Sequence, residues 1–577
     1  MPKVDTTVRE LVDMVKRGEL RLPEMQRKYV WSASRVRDLL DSLYRGYPSG
    51  TILVWETDQN PPTRDLAVSQ TTNIFTTQKM LLDGQQRLTS LCAVLKGEQV
   101  TVRHRKKPIE ILFNLDHPEG PPQDFAEVDE DSDAGDNGFE DSEDEVESDE
   151  PVLNQRFSKR IFVVASKQLL NNPNWIRVSE VLNNNSDYSL LKSKGISPDN
   201  PKYEQYTVKL QKLRQIKEYP YVMQVLERGL DYQEVAEIFV RVNSLGVKLR
   251  GSDLALAQVT ARWKNSLKLF EEFADGLDDA WSVIDVGLLV RAMVIFATNQ
   301  SRFKTVQNIS LEDMQTAWKE AKKGIEFAMN FLRTNAGVED GTLLSSPWII
   351  LAVAAFGSAK GYKLANDEER ELRKWVLISS ARGHLTRGST ETIFDQDLSV
   401  ILKTKSIEAL NEQLKQHVGR LHVEPADFVA RGLRSPLFAT VYMAFKSSGA
   451  KDWLSGLGLS LQHQGKMHLI EYHHIFPKSL LAKSGFEKSN INEMANMAFI
   501  SGRANRKILN KEPGKYLPEI IADRGTEALT SHCLPTDAAL WEISAFPKFL
   551  EWRRAKLASL VNNFLGLETT KAAAANS

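Results

Sequence analysis

HLIEYHHIFPKSLLAKSGFEKSNINEMANMAFISGRANRKILN, running from His468 to Asn510, decides how this chain is read. The run His468, Leu469, Ile470, Glu471, Tyr472 alternates and is stopped by Pro477, which predicts a short strand carrying His473 and His474 near its end. Adjacent strand side chains point to opposite faces, so the two imidazoles are expected to do different jobs. Asn496 opens a second apolar strand, Met497 to Ile500, and Ser501 stands where a helix N-cap belongs, ahead of Arg503, Asn505, Arg506 and Lys507. The expected order is strand, loop, strand, helix. The nine positions from Asn496 to Asn505 suffice to return a helix side chain to the end of the first strand.

These residue types suit the hydrolysis of a phosphodiester, which needs a deprotonated water on one side of phosphorus and a cation to offset charge on the other. Neutral imidazole near pH 7 can accept the proton. Lys466 to Lys515 holds nine Lys or Arg against four Glu and no Asp, a balance that fits a phosphate backbone, as it would a solvated basic surface. Two adjacent histidines alone are more often ordinary strand residues. The Asn, Ser and basic residues around them set this pair apart.

The constellation resembles the HNH nucleases, whose ββα-metal core carries a His-His pair, a middle Asn and a final His or Asn. The resemblance implies that His473 binds the metal, that His474 is the general base, that Asn496 orients His474 and that Asn505 completes the metal site. It implies DNA contacts for Arg503, Arg506 and Lys507. Asn505 stands where many relatives have His, which leaves fewer nitrogen ligands and favours Mg²⁺ or Mn²⁺ over Zn²⁺.

The 577 residues, 42% hydrophobic and 26% charged, predict a soluble chain of two to four domains. Cys92 and Cys533 are the only cysteines, so neither a disulfide framework nor a thiolate metal site is expected and a reducing cytoplasm is the natural home. The N-terminus lacks a hydrophobic signal core and no apolar run reaches spanning length, so no membrane association is expected. The formal net charge of −1 conceals a segregation: fifteen of the 75 acidic residues lie in Asp124–Glu150, which has no Lys or Arg, so the rest of the chain carries +14. A basic body with an acidic insert is compatible with nucleic-acid binding. The insert reads as a disordered loop, or as a mobile polyanion that competes for the DNA site.

Nearer the N-terminus, Thr7 and Glu10 form a capping-box pattern, with Val8, Leu11, Val12 and Val15 on one helical face. Ser32 is placed to cap a helix bearing Val36, Leu39, Leu40 and Leu43, and a strand is expected from Thr51 to Trp55. A strand over Lys79–Leu82 runs into Asp83-Gly84, from which a helix with Leu88, Leu91, Cys92 and Leu95 departs. That glycine turn puts free amides beside Gln85, Gln86 and Arg87, a geometry suited to an anion.

LPEMQRKYVW, LLDGQQRLTSL and EIFVRVNSLGVKLRGSDLALA resemble the N-terminal domain of the GmrSD-type modification-dependent restriction proteins, related to the ParB and sulfiredoxin fold. The family's DGQQR and FxxxN motifs serve nucleotide binding and hydrolysis. By that resemblance Asp83, Gly84, Gln85, Gln86, Arg87, Phe239 and Asn243 bind an NTP, ATP or GTP, with Asp83 and Arg87 catalytic. Phe239 and Asn243 lie at i and i+4 on a helix expected from Tyr232, so they share a face. Phe239 reads equally well as core, and Asn243 as a cap of the turn after it.

The remaining readings are a strand over Ile161–Ala165, an uninformative Asn-rich stretch from Asn171 to Asn185, and a mostly helical region. In that region Ser310 caps a helix whose buried stripe holds Met314, Trp318, Ala321, Ile325 and Leu332. The chain is thus expected to be α+β and multidomain. It divides into a ParB/sulfiredoxin-like sensor and NTPase domain (1–260, with an acidic insert at 123–150), a helical connector (261–425), an HNH domain (426–567) and a tail (568–577). The two resemblances together imply an antiphage, modification-dependent restriction endonuclease acting on modified phage DNA, its nuclease controlled by a nucleotide-regulated sensor. A non-catalytic modification sensor, an RNase and a DNA-repair nickase are the alternatives. Oligomeric state stays open, a homo-oligomer included.

Overall fold

The computed structural model describes residues 2–26, 31, 33–58, 61, 63, 64, 66, 78–97, 110–118, 120, 157–245, 251–461 and 470–567. Ser32, the acidic insert, His468, Leu469 and the tail lie outside the described residues. Two compact units form, one ending at Phe270 and one running from Glu271. Both mix helices with small sheets, so the chain is α+β.

In the N-terminal unit the strands are β1 (Lys3–Thr7), β2 (Leu20–Pro23), β3 (Ile52–Thr57), β4 (Thr63–Arg64), β5 (Gln78–Asp83), β6 (Ile111–Asn114), β7 (Phe162–Val164), β8 (Trp175–Arg177) and β9 (Pro220–Leu226). A six-stranded sheet has the order β1-β9-β3-β5-β2-β4, and a smaller one the order β7-β6-β8. The central strands are apolar at successive positions because both faces of the large sheet are covered. Ile52, Val54 and Leu81 enter one core with the helices Val8–Lys16, Ala33–Arg45 and Gln85–Lys96. Leu53, Trp55, Met80 and Leu82 enter another with Tyr232, Val235 and Phe239 of the helix Tyr232–Leu245.

Local signals are realised where expected. The Thr7 side chain accepts from Glu10 N while Glu10 accepts from Thr7 N, closing the capping box. The Asn-rich stretch, opaque in the sequence, supplies β8 and the helix Val178–Asn183. The LPEMQ segment is a hub. Glu24 accepts from the backbone of Asn265 (3.0 Å) and Leu267 (2.9 Å), and Gln26 Nε2 donates to the carbonyls of Leu81 and Leu82 at 2.9 and 2.6 Å.

The second unit is largely helical. Ser310 caps Leu311–Thr334, whose Met314, Trp318, Ala321, Ile325 and Leu332 are all buried. Among the described residues its strands are β10 (Ile470–His474) and β11 (Met497–Ser501), which pair antiparallel. This hairpin is gripped by aromatic contacts. Phe499 lies 5.3 Å from both Phe438 and Tyr442 of the helix Leu437–Ser447, and Phe476 lies 5.2 and 4.9 Å from Phe546 and Phe549 of the helix Phe546–Phe564. Neither cysteine is in a disulfide. Among the described residues no helix is long and apolar enough to cross a membrane.

Candidate active site

Strand alternation separates the histidines of β10. His473, opposite Ala498, is 3% exposed, whereas His474, opposite Met497, is half-buried. The helix Gly502–Ile508 leaves β11 directly. Ser501 caps it by accepting from Ala504 N, and Asp452 Oδ1 accepts from Ser501 N at 2.7 Å. Burial pushes the Asp452 carboxyl up, but the hydrogen bonds from Ser455 and Ser501 outweigh it and hold the pKa below its usual value.

The first turn of that helix brings Asn505 over β10. Its Nδ2 donates to Glu471 Oε2 and its Oδ1 faces His473 Nδ1, both at 2.8 Å. A carboxylate only accepts, so Glu471 fixes which end of the amide faces which way. The amide oxygen then requires the proton on His473 Nδ1, leaving the lone pair on Nε2. That Nε2 is buried and has no hydrogen-bond partner among the described residues. Burial pushes the His473 pKa down to about 4 against the raising effect of Asn505, so the ring is neutral at pH 7, the form that ligates a metal.

Asn496 is fully buried. Its Oδ1 accepts from Phe476 N at 2.9 Å, and its Nδ2 donates to the carbonyls of Phe476 and Ile491 at 3.1 and 3.0 Å. Its own carbonyl accepts from Ile475 N at 2.9 Å. The expectation had Asn496 orient His474. These bonds hold instead the backbone just after His474, so any orienting effect passes through the main chain. Arg503 and Lys507 are exposed, and Arg506 lies 3.6 Å from Glu471.

Several supports carry no local sequence signal. Arg553 is fully buried and donates to the carbonyls of Ala495 (2.7 Å), Cys533 and His532 (both 3.2 Å), and burial lowers its pKa to about 10. Arg554 grips the buried Glu493 at 2.6 and 2.7 Å, just ahead of Asn496. Trp453 and Tyr516 wall His473 at ring distances of 6.2 and 5.8 Å.

His532, also buried, donates from Nε2 to Lys451 O at 2.9 Å, and burial lowers its pKa to about 4. The folded pKa lies below the ordinary value, so the unfolded chain takes up the proton first as pH falls. Stability of this unit should therefore drop between about pH 6.5 and pH 4. His532→Gln should remove about half of that dependence, His473 supplying the rest. An unchanged slope of melting temperature against pH would show that His532 does not titrate this way.

In the N-terminal unit β5 ends at Asp83 and Gly84 turns the chain into the helix Gln85–Lys96. Gly84 has φ 97°, a backbone conformation that strains any side chain, and a Cβ there would also push on Ile52 Cδ1 at 2.5 Å. Arg87 reaches back to Asp83 Oδ2 at 3.1 Å, Ser49 O at 2.5 Å and Thr51 O at 2.8 Å. Gln85 is buried, and Gln86 Oε1 accepts from Trp31 N at 3.2 Å. Beside this turn an open cleft of about 260 Å³ is lined by Trp31, Arg35, Asp38, Ser49 and Arg87 among others. Phe239 is 5% exposed and packs in the core with Leu226 and Tyr232. Asn243 lies on the same helix, its side chain outside the described residues.

Residues 8–260 match the family described as the GmrSD restriction endonuclease, N-terminal domain. The chain is also similar to an uncharacterized protein of Methanocaldococcus jannaschii, with 24% identity over 578 aligned positions that cover 90% of this chain and 88% of that one. The N-terminal match supports a restriction-endonuclease-related function, with DNA as partner.

Proposed function

We propose that the chain is a modification-dependent DNA endonuclease in which β10, β11 and the helix Gly502–Ile508 form an HNH-type ββα-metal centre. The observation that carries this reading is the His473–Asn505 pair, a buried imidazole whose Nδ1 is held 2.8 Å from an amide oxygen, beside a second histidine on the opposite strand face. The donor set suits a hard cation. Among the described residues no three His, Cys, Asp or Glu side chains are grouped to hold a metal, so two protein ligands would leave positions for water and phosphate, the habit of Mg²⁺ or Mn²⁺. His473 Nδ1 and Asn505 Oδ1, which face one another, would hold the ion between them in the other ring tautomer, which carries the proton on Nε2, and its charge would offset that developing on the scissile phosphate. His474 accepts the proton of the attacking water. Asn496 keeps the backbone behind His474 in place, and Arg503, Arg506 and Lys507 bind phosphates.

In the same proposal the Gly84 turn and the cleft beside it take ATP or GTP, with Asp83 to Arg87 as the binding segment and Asn243 contributing from its helix. Phe239 supports that helix from the core. Nucleotide occupancy controls cutting of modified phage DNA. The test is a cleavage assay on modified DNA, unmodified DNA and RNA, with and without ATP and GTP, in Mg²⁺ and in EDTA. Cutting of modified DNA that responds to nucleotide and falls to background in EDTA is expected. Full activity in EDTA would overturn the metal assignment, and preferential cutting of RNA would overturn the substrate.

A further inference from the structure

Leu509 follows the last residue of the helix Gly502–Ile508 and breaks two rules at once. Its φ of 51° with ψ of −130° is the first central position of a type II′ turn, closed by Lys511 N donating to Ile508 O at 3.3 Å. Glycine dominates that position because a Cβ crowds the backbone there. Asn299 and Lys405, also at positive φ, have ψ of 28° and 26° and fall in the left-handed helical basin; Leu509 does not. The same side chain is 67% exposed, the most exposed large hydrophobic among the described residues. Glycine would relieve the strain and remove apolar surface from water. Neither feature contributes to folding, and strain of this kind concentrates at binding sites.

The surroundings indicate what the side chain meets. Leu509 N donates to Asn505 O at 3.0 Å, which fixes Leu509 one helical turn, about 5.4 Å, beyond the proposed metal ligand. That spacing is between one and two base-pair rises of about 3.4 Å. Arg503, Arg506, Lys507 and Lys511 lie exposed within six residues of it on either side. An apolar probe among cations matches no protein groove, which would present further apolar surface. It does match duplex DNA, where leucine is among the residues that wedge between base steps while cations hold the flanking phosphates.

We propose that Leu509 is a wedge that inserts between base steps of duplex DNA next to the scissile phosphate. This rests on the endonuclease reading above. The test uses the full chain in EDTA with duplexes carrying 2-aminopurine at the steps flanking the wild-type cleavage position. Wild-type binding should raise the probe's fluorescence by unstacking it. Leu509→Gly should abolish that rise and weaken duplex binding about tenfold, the loss of one buried leucine contact, while its melting temperature equals or exceeds wild type. Leu509→Met should retain both signals. A Leu509→Gly variant with wild-type affinity and fluorescence would overturn the wedge and leave the nuclease reading standing. A lowered melting temperature would also overturn it, by showing Leu509 to be structural. A wild-type chain that neither binds nor cuts duplex DNA would bring down both readings, and an equal effect on duplex RNA would overturn the assignment to DNA.

Discussion

His474→Ala is expected to lower strand cleavage by about 10²–10⁴-fold, the usual contribution of a general base, while duplex affinity stays within about twofold. Strand alternation drives both halves of this expectation. It places His474 on the face opposite His473, half-buried and 6.2 Å from the Tyr472 ring, where its removal opens little of the core. His473 is different. It is 3% exposed against Trp453 and Tyr516, so its truncation would unsettle the packing and confuse a kinetic result. Wild-type cutting by a purified, folded His474→Ala variant would sink the assignment of the base. A loss of binding in parallel with cutting would place His474 in substrate contact instead.

The parts of this site that were legible in the sequence are those governed by neighbours along the chain. Alternation around Tyr472, the cap at Ser501 and the return of Asn505 toward β10 all follow from strand and helix periods, and the hydrogen bonds at Ser501 and Asn505 realise them. The same holds for the Thr7–Glu10 capping box and the Trp318 stripe. What could not be read depends on distant segments. Arg553 braces Ala495 from 58 positions away, and Asp452 holds Ser501 N from 49 positions before it. Nothing in the local pattern marks either residue, because a buried arginine and a buried aspartate are each explained only by the carbonyls or amides they meet. β8 escaped for another reason. At three residues it is too short to establish a period, and its Asn-rich surroundings resemble a loop. Phe239 shows the limit of a motif residue: the same aromatic suits a base or a core, and the fold buries it in the core.

Arg87→Ala is the second large effect, and its structure shifts the expected result from affinity toward stability. Arg87 is 15% exposed, and three of its five N–H donors bond to Asp83, Ser49 O and Thr51 O, so the guanidinium is committed first to the turn. These contacts tie the end of β5 to the approach of β3 and so hold the Gly84 turn in shape. Removing them strips charge-assisted bonds from a carboxylate and two carbonyls, with a loss of about 2–4 kcal/mol in the N-terminal unit. Arg87→Lys should recover little of this, since a point charge cannot serve three divergent acceptors. Nucleotide turnover should fall as well, because the turn that would present its amides to an anion is no longer braced. Melting temperature, NTPase rate and cleavage of modified DNA, measured on one preparation held well below its own transition, separate the roles. An unchanged melting temperature with lost turnover would mean that Arg87 acts on the nucleotide and not on the turn. A folded variant that has lost hydrolysis, yet cuts modified DNA with an unaltered response to nucleotide, would refute control of the nuclease by the N-terminal unit and leave two independent activities on one chain.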